Sequence, residues 1–230
     1  MADNALTGLG RSWVLANVIG FAAGGAVFGA SQESWLRPYF EVVTEPAAAA
    51  RIMAVSSGIG LTLLGASVGL AEWLVLRTRL PAAWWAPATA LGYGLAGAGA
   101  GAIGGVLGGT VTGMGPEHGV LGFIAGVVVS TIMLGLLPGT LQWILLRRRA
   151  QKAGRWPWVT LGALLAGVFA AAVIVRLGLA YVIPWLQPED FPSAKALSCA
   201  GLVMGAVFGV LTFSTLRRAL SPVANSVAPG

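Results

Sequence analysis

Histidine and cysteine occur once each in this chain of 230 residues, as His118 and Cys199, and aspartate and glutamate together number only eight. A lone cysteine excludes an intrachain disulfide and a cysteine metal site. A lone histidine, expected in an outer loop, leaves no bis-histidine haem site, no His-Glu-x-x-His zinc motif and no catalytic triad. Glycine is plentiful, but no strand precedes the glycine clusters, so a chance Gly-x-Gly carries no phosphate-binding meaning. With no catalytic constellation and no metal set, the chain is expected not to be an enzyme, and its sequence names no cofactor.

Charge is equally scarce, at 10% of residues against roughly 25% in soluble domains. Hydrophobic residues instead supply 57%, and the mean hydropathy is +0.81. Such a chain belongs in a lipid bilayer. Its net charge of +6 does not point to nucleic acid, because the basic residues sit in short clusters between apolar runs, where positive-inside topology accounts for them.

A bilayer core of about 30 Å needs about 20 apolar residues in a helix. Six stretches meet that length, near 13–30, 52–76, 84–112, 119–146, 158–183 and 196–216. The first is expected to be retained rather than cleaved as a leader, because Phe28 stands where a small residue is wanted three positions before a cut at Ala30 and Trp13 has counterparts in the later repeats. One set of helix ends carries Arg11, Arg77, Arg79, Arg147, Arg148, Arg149, Lys152, Arg155, Arg217 and Arg218; the other carries only Arg37, Arg51, Arg176 and Lys195. That asymmetry predicts a multi-pass membrane protein with both termini in the cytoplasm. Arg176 is expected to snorkel outward or to pair with an outer acid.

Internal repetition sharpens the picture. The string Gly-x-x-x-Gly-x-x-polar-aromatic-x-x-Leu-Arg occurs at 65–77, 135–147 and 205–217, each copy 70 residues after the last. Its polar-aromatic slot holds Glu72-Trp73, Gln142-Trp143 and Thr212-Phe213. A fixed period means one supersecondary unit copied and stacked. The expected fold is therefore all-α, six transmembrane helices arranged as three tandem helical hairpins of about 70 residues. These occupy approximately 11–80, 81–150 and 151–220 of a single membrane domain 1–220, followed by a flexible tail at 221–230.

Trp13, Trp85 and Trp158, spaced by 72 and 73, read as the aromatic start of each hairpin. Seven tryptophans, these with Trp73, Trp84, Trp143 and Trp156, are expected at the cytoplasmic interface, leaving Trp35 and Trp185 near the outer one. The first outer loop, 31–51, is the longest, and its Trp-Leu-Arg-Pro-Tyr-Phe segment is expected to lie flat on the outer surface.

Two features are candidates for function. Gly97, Gly101, Gly105 and Gly109 repeat every fourth residue on one helix face, a groove along which another backbone can approach, either within the chain or from a partner. Glu72, Gln142 and Thr212 continue the glycine face of their own helices and so point into protein, where each needs a polar partner. Asn17 and Thr89, four residues after Trp13 and Trp85, lie at a similar depth and are the expected partners or co-ligands.

The unit Gln142-Trp143-Ile144-Leu145-Leu146-Arg147, followed after a basic loop by Trp156-Pro157-Trp158, resembles a group of uncharacterised bacterial polytopic membrane proteins. That group is built from tandem glycine-rich helical hairpins ending in Gln-Trp-x-x-Leu-Arg. The resemblance implies an architecture, a bacterial cytoplasmic (inner) membrane and no activity; the third repeat departs from it, with Thr212-Phe213 in place of Gln-Trp.

The leading functional expectation is a non-catalytic membrane subunit or scaffold, partnered by the lipid bilayer and by other membrane subunits or copies of itself, with no nucleic acid. One alternative is a small-solute transporter of three two-helix repeats, on the pseudo-threefold plan of mitochondrial carriers but without their Pro-x-acid-x-x-basic motif. A further alternative is a pigment- or quinone-binding protein, in which Glu72, Gln142 or Asn17 would supply an axial oxygen.

Overall fold

A computed structural model describes residues 2–35, 45–78, 83–111, 115–147, 153–174 and 194–220. Six long helices account for them: α1 (Ala2–Trp35), α2 (Pro46–Leu76), α3 (Trp85–Val111), α4 (Gly115–Leu146), α5 (Trp156–Val173) and α6 (Ala194–Leu220). A short 3₁₀ turn, Ala153–Arg155, leads into α5. No strand occurs among the described residues. The tail at 221–230, Arg176 and Trp185 lie outside them.

Helix ends follow local chemistry. Pro46 and Pro157 stand in the first turns of α2 and α5, where a missing N–H costs nothing and a fixed φ suits the helix. The Glu45 carbonyl accepts the N–H groups of Ala48 and Ala49 at 3.1 and 3.0 Å, opening α2 six residues earlier than the apolar run suggests. At the other end of that connection α1 continues to Trp35, with Ser31 and Ser34 returning their hydroxyls to the Phe28 and Ala30 carbonyls. The long outer loop expected at 31–51 is thereby cut back, and most of the segment expected to lie flat falls outside the described residues. His118, expected in a loop, is inside α4.

α4 also carries Pro138 in its interior. Proline removes one helical hydrogen bond, and apolar helices tolerate it where a neighbour packs against the freed backbone. Gly92 of α3 supplies that neighbour: a methyl group there would collide with the Pro138 backbone.

Each helix packs against those before and after it in sequence, and α1 packs along α6, so the six form a closed ring. At the end away from Arg217, the Ala194 N–H donates to Glu33 Oε1 at 3.2 Å, placing a carboxylate from the end of α1 at the start of α6. Over their described residues α1, α2, α4, α5 and α6 are long and apolar enough to cross a membrane. Over its described residues α3 is not among the five. Leu15, Ile19, Leu70, Leu91, Phe169 and Val210 are more than half exposed. An apolar outer surface around a partly polar interior is the make-up of a multi-pass membrane protein.

Glycine sets how closely the helices approach. A methyl group at Gly69 would stand 2.9 Å from Ala86 Cα, at Gly139 3.0 Å from Pro157 Cα, and at Gly209 2.9 Å from Val14 Cα. Each contact point is the residue after a buried tryptophan, namely Trp85, Trp156 and Trp13. Without a hydrophobic drive between helices in lipid, such backbone contact supplies much of the association.

Candidate functional site

Inside the ring the side chains lie in layers. Nearest the end where Arg77, Arg147 and Arg217 follow their leucines, Trp13, Trp85 and Trp156 pack with Leu76, Leu146, Leu216 and Ala153 in one buried cluster. Trp156 meets the other two indoles edge to face, at centroid distances of 6.5 Å to Trp13 and 6.1 Å to Trp85, the arrangement favoured by the ring quadrupoles. Farther along, Phe21, Tyr93, Leu164, Val68 and Phe208 form a second cluster, with Phe21 packed against Tyr93 and Phe208.

The polar slot residues occupy the level between these clusters, four residues before Leu76, Leu146 and Leu216. Glu72, Gln142 and Thr212 are buried, as are Asn17, Thr89 and Thr160 on the opposing helices. Each slot oxygen accepts an indole N–H from the next helix round the ring. Trp85 Nε1 donates to Glu72 Oε2 at 2.9 Å, Trp156 Nε1 to Gln142 Oε1 at 2.9 Å, and Trp13 Nε1 to Thr212 Oγ1 at 3.0 Å. The third of these joins α1 to α6 across 199 residues of sequence. One hydrogen bond is thus repeated at three seams, the last closed by the two ends of the chain.

Gln142 ties two seams together. Its Nε2 donates to Glu72 Oε2 at 3.1 Å and to Thr89 Oγ1 at 2.9 Å. Thr89, Thr160 and Thr212 send their own hydroxyl hydrogens to carbonyls four residues back, on Trp85, Trp156 and Phe208. Asn17 does likewise through Nδ2, to the Trp13 carbonyl at 3.0 Å. Two acceptors are left over: Asn17 Oδ1 and Glu72 Oε1 are buried without a hydrogen-bond partner.

The expected site residues therefore divide. Glu72, Gln142 and Thr89 meet directly, Asn17 adjoins the Glu72 side chain, and Thr212 is joined to Trp13. Thr160 belongs to the same level but is not marked by the tryptophan spacing. It stands four residues after Trp156, whereas the spacing selects Trp158 as the start of that hairpin, two residues out of register. Trp156 is fully buried and bonded, whereas Trp158 is 67% exposed and Trp84 71%. Trp13, Trp85 and Trp156 are thus interior donors rather than interfacial anchors. Trp73 and Trp143 are only partly buried, with the Arg77 and Arg147 guanidinium groups over their rings at 5.8 and 5.5 Å.

Gly97 and Gly101 face α2: added methyl groups would meet the Ser57 and Met53 carbonyls. That part of the groove is filled from within the chain. The surroundings of Gly105 and Gly109 lie outside the described residues. Comparison of the chain with protein-family models, with curated proteins and with solved structures found no match.

Proposed function

We propose that the chain is a non-catalytic building block of a larger membrane assembly, three tandem helical hairpins closed into a ring whose outer surface meets lipid and other subunits or copies of itself. The observation that carries this reading is the filled interior. The indole cluster blocks one end of the ring, the slot residues are bonded to neighbouring helices, and the internal cavity beside them measures only about 10 Å³. The repeated tryptophan bond supports the three-hairpin plan, and the resemblance to the tandem-hairpin membrane proteins fits it without adding an activity. Because the motif glycines and the Gly97–Gly101 face are taken up inside the ring, partners would meet outward helix faces instead. The concentration of basic residues at one set of ends supports a cytoplasmic placement of those ends and both termini, and the resemblance supports a bacterial inner membrane. A second reading, a carrier of a small cation, is favoured by the unpartnered oxygen of Glu72.

One preparation tests both parts. Cells carrying Arg79→Cys, Lys152→Cys or Glu45→Cys in a Cys199→Ser background are treated with an impermeant thiol reagent, then solubilised in mild detergent for mass spectrometry and an absorption spectrum. Expected are labelling at 45 alone and a stoichiometric membrane protein or second copy in the isolate. Labelling at 79 or 152 would reverse the orientation. A colourless, unaccompanied monomer would remove the scaffold, and a bound chromophore would establish the pigment alternative instead.

A further inference from the structure

The buried polar level contains an imbalance that packing does not resolve. Glu72 receives two donors, the Trp85 indole and the Gln142 amide, and both go to Oε2. Its Oε1 receives none, and neither does Oδ1 of the adjoining Asn17. Both side chains have no solvent-exposed surface. As the Asn17 amide stands, its nitrogen is held by the Trp13 carbonyl, and its oxygen is the atom left unpaired. What is missing is something positive.

Space for it exists. Glu72, Thr89, Tyr93, Gln142 and Thr160 line a cavity of about 10 Å³, close to the smallest volume that accommodates one water-sized body. The surrounding polar atoms are mostly oxygens: Thr160 Oγ1 donates to carbonyls and accepts nothing within hydrogen-bond distance among the described residues, and Thr89 Oγ1 accepts only Gln142. Oxygen donors suit hard cations, and a single carboxylate matches a single positive charge. No lysine or arginine is among the hydrogen-bond partners of Glu72. An acid buried in a membrane helix without a counter-charge is costly.

We propose that this cavity is a site for one small monovalent cation, sodium or a proton, held on Glu72 Oε1 with the Thr89 and Thr160 hydroxyls as the neighbouring oxygen donors. The site is independent of the scaffold reading, since an ion locked among α2, α3, α4 and α5 would fix the ring whether or not it ever moves.

The full chain in detergent micelles decides between the sources. Unfolding temperature is followed while choline chloride is replaced by sodium chloride at constant ionic strength, and infrared spectra are recorded for the same samples. For sodium, the midpoint rises saturably by several degrees, because a ligand bound only to the folded state stabilises it, and the rise disappears in Glu72→Gln. For a proton, sodium has no effect and the spectrum contains a carboxylic acid C=O band that Glu72→Gln removes. The amide variant should itself fold, as its NH₂ can donate to Asn17 Oδ1 while its oxygen keeps the Trp85 bond. Should that variant fail to fold, the wild-type sodium titration and infrared band still separate sodium, proton and neither. An ionised Glu72 together with indifference to lithium, sodium and potassium would overturn the proposal, and so would a sodium response undiminished in Glu72→Gln.

Discussion

Gly205→Leu is expected to destabilise the folded chain by about 3 kcal/mol, the upper part of the range for overpacking, and to abolish recovery of monodisperse protein in mild detergent. The reason is what the new side chain would strike. A Cβ at Gly205 meets the Asn17 carbonyl and Val18 Cα, atoms of the α1 backbone that no rotamer change can move aside. α1 and α6 would have to separate along a seam that also includes Gly25, Gly201 and Gly209. The separation would stretch the Trp13–Thr212 bond as well. Gly162→Leu is the matched control: nothing lies within 4 Å of the added Cβ, so its effect should stay within about 0.5 kcal/mol, as for substitutions away from special features. Thermal unfolding of both variants in one detergent provides the measurement. Equal stability would mean that the α1–α6 seam is not closely packed.

Gln142→Leu is expected to be the most damaging change among the polar residues, at about 2 to 3 kcal/mol. It strands the Trp156 N–H, withdraws one of two donors from Glu72 and leaves Thr89 Oγ1 without its incoming bond. Interhelical hydrogen bonds in membranes average about 0.6 kcal/mol and reach about 1.7, so three coupled bonds make a total of that size, without strict additivity. Trp156→Phe keeps most of the aromatic volume and removes one of the three, so it should cost about 1 kcal/mol. In the double variant much of that cost should vanish, because the indole N–H has already lost its acceptor. A full second penalty in this cycle would show that the Trp156 bond contributes independently of Gln142.

The sequence carried the helical class through its apolar runs, and the common depth of Glu72, Gln142 and Thr212 through the 70-residue period. It did not carry the identity of the donors. A tryptophan flanked by basic residues reads as an interfacial anchor, and only the folded ring reveals that Trp13, Trp85 and Trp156 point inward while Trp84 and Trp158 remain outside. Trp156-Pro157-Trp158 offers two indoles two residues apart, and helix geometry, not composition, selects the first. Glycine spacing is similarly half-informative. Every fourth glycine signals a close approach, but Gly97 and Gly101 meet α2, a choice fixed by ring order rather than by α3 alone. The α4 start at Gly115 was hidden because local propensity opposes it, whereas the apolar stretch 119–146 already ran through Pro138.

Ring closure by the ends of the chain is the central claim, and a disulfide across the α1–α6 seam tests it most directly. A Cβ at Gly209 would lie 3.5 Å from Val14 Cβ, within the separation that a disulfide spans. In a Cys199→Ser background, Val14→Cys combined with Gly209→Cys should oxidise in native membranes to an intramolecular crosslink, detected by mass spectrometry as one peptide pair joining α1 to α6. Neither single variant should form it. Free thiols after oxidation, or crosslinks found only between separate chains, would contradict the closed ring.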